Sequence, residues 1–335
     1  MQLKNRSQIL RLGALGVGLP KNIVLSTDID KATGNELGYT ERLSHIKQRY
    51  YVVDESASDL ACIAVNDALS QSDVSLNEIG CLISGSGTME QAIPYNAAKI
   101  HAQLDFSKPV PSFDVNMTCL SALRAIELGT VLLTSGVYKN ILVVSSEIAS
   151  AGIRWSDEET GPLFGDGSAA LLLSRESGRP FKVLASHFET HSEGVGYAQV
   201  RGGGTLLPPS KISGSYKDYG LFEMRGKDSL RLVNKILTTF LDTLFKKSDV
   251  QLKDINWIVP HQASFLGLEY LRKKLGISTD KFINIISTHG NQIAASIPFA
   301  LHNLLQSRDV KGGDRILLFG TSAGLSIGGM VVEFL

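Results

Sequence analysis

One order of apolar segments runs through this chain twice. The first pass begins with SASDLACIAVNDALSQS (residues 56–72), whose apolar residues recur at helical spacing behind a Ser56 or Ser58 N-cap. A short buried-strand run, EIGCLISGSGT, follows, then the helix YNAAKIHAQLDF and the strand VPSFDVN. A long apolar helix, CLSALRAIELGTVLLTSG, leads to two strands, NILVVSSEIAS and GSAALLLSRE. The second pass repeats the order. The helix SLRLVNKILTTFLDTLFKKS precedes the strand DINWIVPHQAS and the helix SFLGLEYLRKKLGI. The pattern then predicts a strand at FINIISTHG and a helix at AASIPFALHNLLQS. DRILLFGTSAG and GGMVVEFL close it as strands. Alternation of this kind predicts an α/β protein with mainly parallel sheets covered on both faces. The duplication is one of pattern and not of identity. It places a boundary near residue 178, giving halves 1–178 and 179–335. The Gly, Ser and Pro-rich stretch from about 185 to 220 reads as a connection whose insertion, GGGTLLPPSKISGSY, covers a site.

The 335 residues suffice for one large domain or two ordinary ones, and 43% hydrophobic against 20% charged residues implies a sizeable core. Thirty-three basic and thirty-three acidic residues cancel, which argues against nucleic acid as the partner. A local basic patch for an acidic carrier protein or a CoA phosphate remains compatible with that balance. Three cysteines, Cys62, Cys81 and Cys119, form no CxxC pair and no disulfide framework, so a cytoplasmic setting fits and no metal is expected. The start, MQLKNRSQILRLGALGVGLP, mixes charges with apolar residues and reads as a first strand, ILRLGALGVGLP, not as a leader. No run of about eighteen apolar residues is present, so no membrane span is expected.

Three residues stand in contexts that chemistry explains. Cys119 lies where the strand SFDV runs into a helix, and the unpaired amides of that first turn suit a thiolate or a developing oxyanion. A strand–turn–helix nucleophile is the logic of an elbow. Cys62 and Cys81 read as small core residues. His261 follows Pro260 at the end of WIVP, the side of a parallel sheet where ligands bind. His289 is a weaker candidate, better read as a structural residue. Asn291, in HGNQIAAS, reads as a helix N-cap or as an amide donor to a substrate carbonyl. His261 Nε2 and the Asn291 amide together suit an enolate oxygen without a metal. GDG (165–167) and GTSAG (320–324) match no phosphate loop and read as tight turns bringing backbone close to a narrow acyl site. The amides of Ala323 or Gly324 complete an oxyanion hole with that of Cys119.

These segments carry a resemblance. IKQRYYV, the nucleophile helix at Cys119, LFGDGSAALLL, FEMRGKD, VPHQAS and HGNQIAASIP are similar, nearly end to end, to the ketosynthase III branch of the thiolase superfamily. The resemblance implies a duplicated five-layer αβαβα thiolase-like fold and a homodimer. It implies an acyltransferase acting on acyl-CoA or acyl carrier protein, with thioesters as substrates and no cofactor. Cys119 takes the acyl group; His261 and Asn291 assist decarboxylation of a malonyl thioester and steady the enolate that attacks it. Four positions depart from the family's housekeeping members. Tyr39 and Leu43 stand where a Trp and an Arg clamp the CoA adenine. Ser264 replaces the Asn of HQAN, and Leu266 replaces an Arg associated with carrier docking. FGTSAG stands for an FGGG turn. Together these imply a specialised ketosynthase with a different donor or carrier, in a lipid or secondary-metabolite pathway. The same acyl-enzyme could instead pass to an alcohol or amine with His261 as base. A papain-like protease is set aside because CGSCW is missing and the fold pattern is wrong. A non-catalytic companion subunit is set aside because all three residues are present.

Overall fold

The computed structural model describes residues 9–216 and 219–335. The charged residues 1–8 that open the chain, and 217–218 in the 185–220 connection, lie outside the described residues.

Nine strands form the main sheet. In chain order they are β1 (Leu10–Gly18), β2 (Cys81–Ser84), β3 (Ser112–Asp114), β4 (Asn140–Glu147), β5 (Gly167–Ser174), β6 (Arg179–Thr190), β7 (Trp257–Pro260), β8 (Arg315–Ser322) and β9 (Ser326–Phe334). Their order is β7-β8-β9-β6-β1-β5-β4-β2-β3. The expectation of mainly parallel sheets is corrected. Only β7–β8, β4–β2 and β2–β3 run parallel. The remaining neighbours are antiparallel. Of these, β8 passes directly to β9 through a link too short for a crossover. Between β1 and β6 the ladder narrows to three pairs, Leu10–Phe181, Arg11–Pro180 and Leu12–Arg179.

Double coverage follows from strands apolar on both faces. Ile141 and Val143 of β4 enter one core, while Leu142 and Val144 enter another on the opposite face. Ile316 and Leu318 of β8 share the first core, and Leu317 and Phe319 a third. The shared core is filled by the helices Ser121–Thr134 and Ser296–Ser307, which pack on each other between the two parts of the sheet. Helix Ala57–Ser70 covers the outer face of β1, β4 and β5, and Gly226–Ser248 that of β6 and β9. The layers therefore run α-β-α-β-α. Period-two burial on two faces dictates this arrangement.

Helix Ala57–Ser70 shows how local signals set these layers. Ser56 Oγ accepts from Asp59 N at 3.1 Å and Asp59 Oδ2 accepts from Ser56 N at 2.8 Å, a capping box. A Cβ on Gly16 or Gly18 would strike the backbone of this helix at Ala64 or Ala68, so glycine allows it to lie close on β1. FINIISTHG is the one predicted strand that does not form. Phe282 makes a lone bridge to Ile258. Beyond it the Gln262 side chain takes a strand's place, its Nε2 donating to Ile283 O at 3.1 Å and its Oε1 accepting from Ile285 N at 2.9 Å. The segment ends as a short helix, Ile286–His289.

The insertion 202–216 is mostly exposed, with Leu206 90% exposed. Contact with the interior comes just after it: Phe222 stands edge-on to Phe164 at 5.3 Å between centroids.

Candidate active site

Two turns of the same build meet at the ends of the strands. In the first, Asn116 Oδ1 accepts from Thr118 N at 3.0 Å and Thr118 adopts φ 47°. A 3-10 turn, Thr118–Leu120, follows and passes into helix Ser121–Thr134. In the second, Asn291 Oδ1 accepts from Ile293 N at 2.9 Å and Ile293 adopts φ 48°. The turn Ile293–Ala295 then passes into helix Ser296–Ser307. Both left-handed residues are β-branched, a costly conformation that surrounding structure must hold. Cys119 sits directly after one and Ala294 directly after the other. The motif N-x-x-C-x-S thus answers N-x-x-A-x-S, a repeat that the pattern of helices and strands hid. The two turns pack on each other, the first also on β8 and the second on β4.

Cys119 is not poised as a free thiolate, contrary to the expectation from its helix mouth. Burial, first, and the Glu147 carboxylate, second, push its thiol up to about 12. The amides of Ala323 and Cys119 pull the other way, which puts both beside the sulfur. Thr118 Oγ1 donates to Ala323 O at 3.3 Å and ties this turn to the end of β8. Gly324, at φ 128°, makes the β8–β9 turn, whereas Gly320 lies within β8. A Cβ there would stand 2.5 Å from that of His261.

His261 extends β7 by one residue, its N–H donating to Phe319 O at 2.9 Å. Its Nδ1 lies 2.7 Å from Ser296 Oγ. Burial drives its pKa down to about 4, so the ring is neutral at ordinary pH. Asn291 is buried and does not cap the following helix, whose N-cap is Ala295. Its Nδ2 donates to Ala263 O at 3.2 Å, two residues past His261. Its backbone is clamped by Leu163 O, which accepts from Asn291 N at 2.8 Å, and by Gly165 N, which donates to Asn291 O at 3.1 Å. This explains the first glycine of GDG: a Cβ on Gly165 would collide with His289 O. Asp166 between the glycines accepts from Val52 N at 2.9 Å and Ser150 Oγ at 2.7 Å. Arg49 of IKQRYYV donates to Pro162 O at 2.7 Å. The two motifs brace each other and the Asn291 segment. His289 stacks on Tyr50 and packs at a tilt against Phe299, which suits the structural reading.

Glu147 is a residue that sequence reasoning missed. It ends β4 fully buried and accepts from Gly87 N at 2.6 Å, Thr88 N at 2.9 Å and Thr88 Oγ1 at 2.5 Å. The Ala294 amide is a further donor. Burial outweighs these four and raises Glu147 to about 7. A carboxylate closing a strand with the apolar centre ILVV was the available signal.

The outer candidates lie apart. Tyr39 and Leu43 share helix Tyr39–Ser44 and line a cavity of about 40 Å³ with Trp155, Asp157 and Glu158. Ser264 is the N-cap of helix Phe265–Lys274, its Oγ accepting from Gly267 N at 3.2 Å. Leu266 is exposed on that helix's first turn.

An αβαβα duplication with a cysteine at a strained turn, a neutral histidine and a clamped asparagine defines a condensing enzyme of the thiolase fold. Known proteins agree. A family model described as 3-oxoacyl-[acyl-carrier-protein (ACP)] synthase III matches residues 113–192, and its C-terminal counterpart matches residues 245–334. The β-ketoacyl-[acyl-carrier-protein] synthase III of Clostridium perfringens (strain SM101 / Type A) is 31% identical over 323 residues, 95% of this chain and 98% of that one. The synthase III of Vesicomyosocius okutanii is 27% identical over 98% of this chain and all of its own length. The crystal structure of 3-oxoacyl-[acyl-carrier-protein] synthase III from Aquifex aeolicus VF5 superposes with a TM-score of 0.85 at 26% identity, covering 97% of this chain and 99% of that one. A variant of Xanthomonas campestris OleA shares the fold at 21% identity, with a TM-score of 0.83 over 97% and 98% of the two chains. The chain belongs to the 3-oxoacyl-[acyl-carrier-protein] synthase III family and is an acyltransferase of the condensing type.

Proposed function

We propose that Cys119 carries the acyl group and that His261 and Asn291 generate the carbon nucleophile. Cys119 sulfur attacks an acyl thioester; the new C–S bond forms as the old one breaks, and the thiol proton leaves with the departing carrier thiol. The amides of Cys119 and Ala323, with Gly324 shaping the turn, hold the oxyanion. A malonyl-type thioester then loses carbon dioxide, and the electron pair of the broken C–C bond enters an enolate steadied by His261 and Asn291. Its carbon attacks the acyl-Cys119 carbonyl, and the cysteine departs as a thiolate that regains a proton. The observation that carries this reading is the packing of the Cys119 turn on the Asn291 turn and on β8, to which the His261 N–H donates at 2.9 Å.

The donors are acyl-CoA or acyl carrier protein, no resident cofactor is needed, and the working form is a homodimer in the cytoplasm, a compartment that suits the free thiols of Cys62, Cys81 and Cys119. Among the described residues no helix is long and apolar enough to cross a membrane. Tyr39, Leu43, Ser264 and Leu266 shape an approach that favours a specialised lipid or secondary-metabolite substrate. Residues 1–178 and 179–335 form the two halves. Intact-protein mass after incubation with acyl thioesters tests the scheme. Cys119→Ala should take no adduct, while His261→Ala and Asn291→Ala should stay acylated and fail to condense. A stable adduct on Cys119→Ala contradicts it.

A further inference from the structure

We infer that Ser296 is a positioning residue that holds His261 as the Nε2–H tautomer, so the site meets its second substrate with a hydrogen-bond donor and not with a base. The inference rests on the reading that His261 faces that substrate.

Ser296 Oγ is fully buried and has two partners. The backbone N–H of Gln262 donates to it at 3.3 Å, and His261 Nδ1 lies 2.7 Å away. The Gln262 amide can only donate. If Nδ1 also carried a proton, the oxygen would receive two donors and its own hydroxyl hydrogen would have no acceptor. An unsatisfied buried hydroxyl costs about 1–3 kcal/mol, roughly five- to 160-fold in population. The alternative satisfies every group: Gln262 N–H to Oγ, Oγ–H to Nδ1, and the ring proton on Nε2.

The paired turn shows that this hydroxyl is diverted. Ser121 occupies the corresponding place after Cys119. Its Oγ accepts from Met117 N at 2.8 Å and donates to Thr118 O at 2.6 Å, closing its own turn. Ser296 makes no such bond within its turn and gives its hydroxyl to the imidazole instead.

Asn291 has the same polarity. Its Oδ1 is taken by Ile293 N, and one Nδ2 hydrogen by Ala263 O. One amide hydrogen remains. Two neutral donors stabilise an enolate oxygen but cannot accept a proton from an alcohol or amine at Nε2. This separates carbon–carbon condensation from ester or amide formation.

Nitrogen-15 histidine spectra of the full-length wild type test the tautomer, with the His261 signals assigned by their absence in His261→Gln. Protonated Nε2 and unprotonated Nδ1 are expected; the reverse overturns the inference. Ser296→Asp offers two acceptors and should move the proton to Nδ1. Cys119 should still acylate, while condensation falls about 100-fold, the loss typical of one oxyanion donor. Full condensation by a Ser296→Asp enzyme with Nδ1 protonated also overturns it. Ser296→Thr keeps the hydroxyl and should keep the wild-type signals even if the aspartate variant does not fold; loss of those signals in a folded Ser296→Thr counts against it. Unimpaired condensation by His261→Ala would instead refute the catalytic scheme, leaving the tautomer result in place.

Discussion

Glu147 and His261 pull the pH response in opposite directions. His261 sits near 4 in the fold against an ordinary 6.5, so only the unfolded chain takes up its proton between those values. Its contribution is intact above pH 6.5 and is lost as pH falls toward 4. Glu147 is raised from 4.5 to about 7, so the fold holds this proton more tightly than the unfolded chain, and its burial destabilises increasingly as pH rises through that window. We expect the stability gap between wild type and His261→Gln to narrow, in urea titrations, as pH drops from 6.5 to 4.5; a constant gap contradicts the burial argument. Glu147→Gln keeps the shape but turns one acceptor into a donor facing Gly87 N, Thr88 N and Thr88 Oγ1. Leaving such donors unsatisfied costs about 2–4 kcal/mol in total, readable as a lowered urea midpoint. The same change removes the charge that helps hold the Cys119 proton, so iodoacetamide should alkylate the thiol faster at fixed pH.

At the scale of elements, helices depend on caps and turns on glycines. Ser264 is spent on its helix N-terminus, so Ser264→Ala should cost about 1 kcal/mol of unfolding free energy. An unchanged stability with altered substrate preference would return Ser264 to the substrate channel. Gly165→Ala should do more harm, since the intruding methyl meets a backbone carbonyl and not a yielding side chain. We expect a loss of about 1–3 kcal/mol, seen as a lower melting temperature, together with reduced condensation as the Leu163–Asn291 pairing opens. Most elements were legible because strands buried on both faces and capped amphipathic helices carry their periodicity locally. FINIISTHG was not, because its ladder partner is the side chain of Gln262, which no pattern of apolar residues records. Cys119, His261 and Asn291 stood out by context. Glu147 and Ser296 did not, because a buried acid's donors and a hydroxyl's direction are set by chain segments far away in sequence.

The whole molecule is organised by its seam. The site draws Cys119 from a turn after β3, His261 from the end of β7 and Asn291 from the turn before the second central helix. Packing of the two turns on each other and of the Cys119 turn on β8, with contact between the two central helices, brings these together. A site assembled this way needs its frame held from outside as well. Met89, Ile93 and Tyr95 leave a cluster of apolar side chains exposed, at 65%, 85% and 47%, on the loop that begins at Gly87, the donor to Glu147. Apolar exposure so concentrated is what the proposed homodimer would cover. In a homodimer that covering would fix the loop, and through Glu147 the turns carrying Cys119 and Ala294. Sedimentation should therefore give twice the 36.2 kDa chain mass. Ile93→Asp should shift it toward the single-chain value and slow Cys119 acylation in parallel. A monomeric wild type with full activity would show that the chain holds its site unaided.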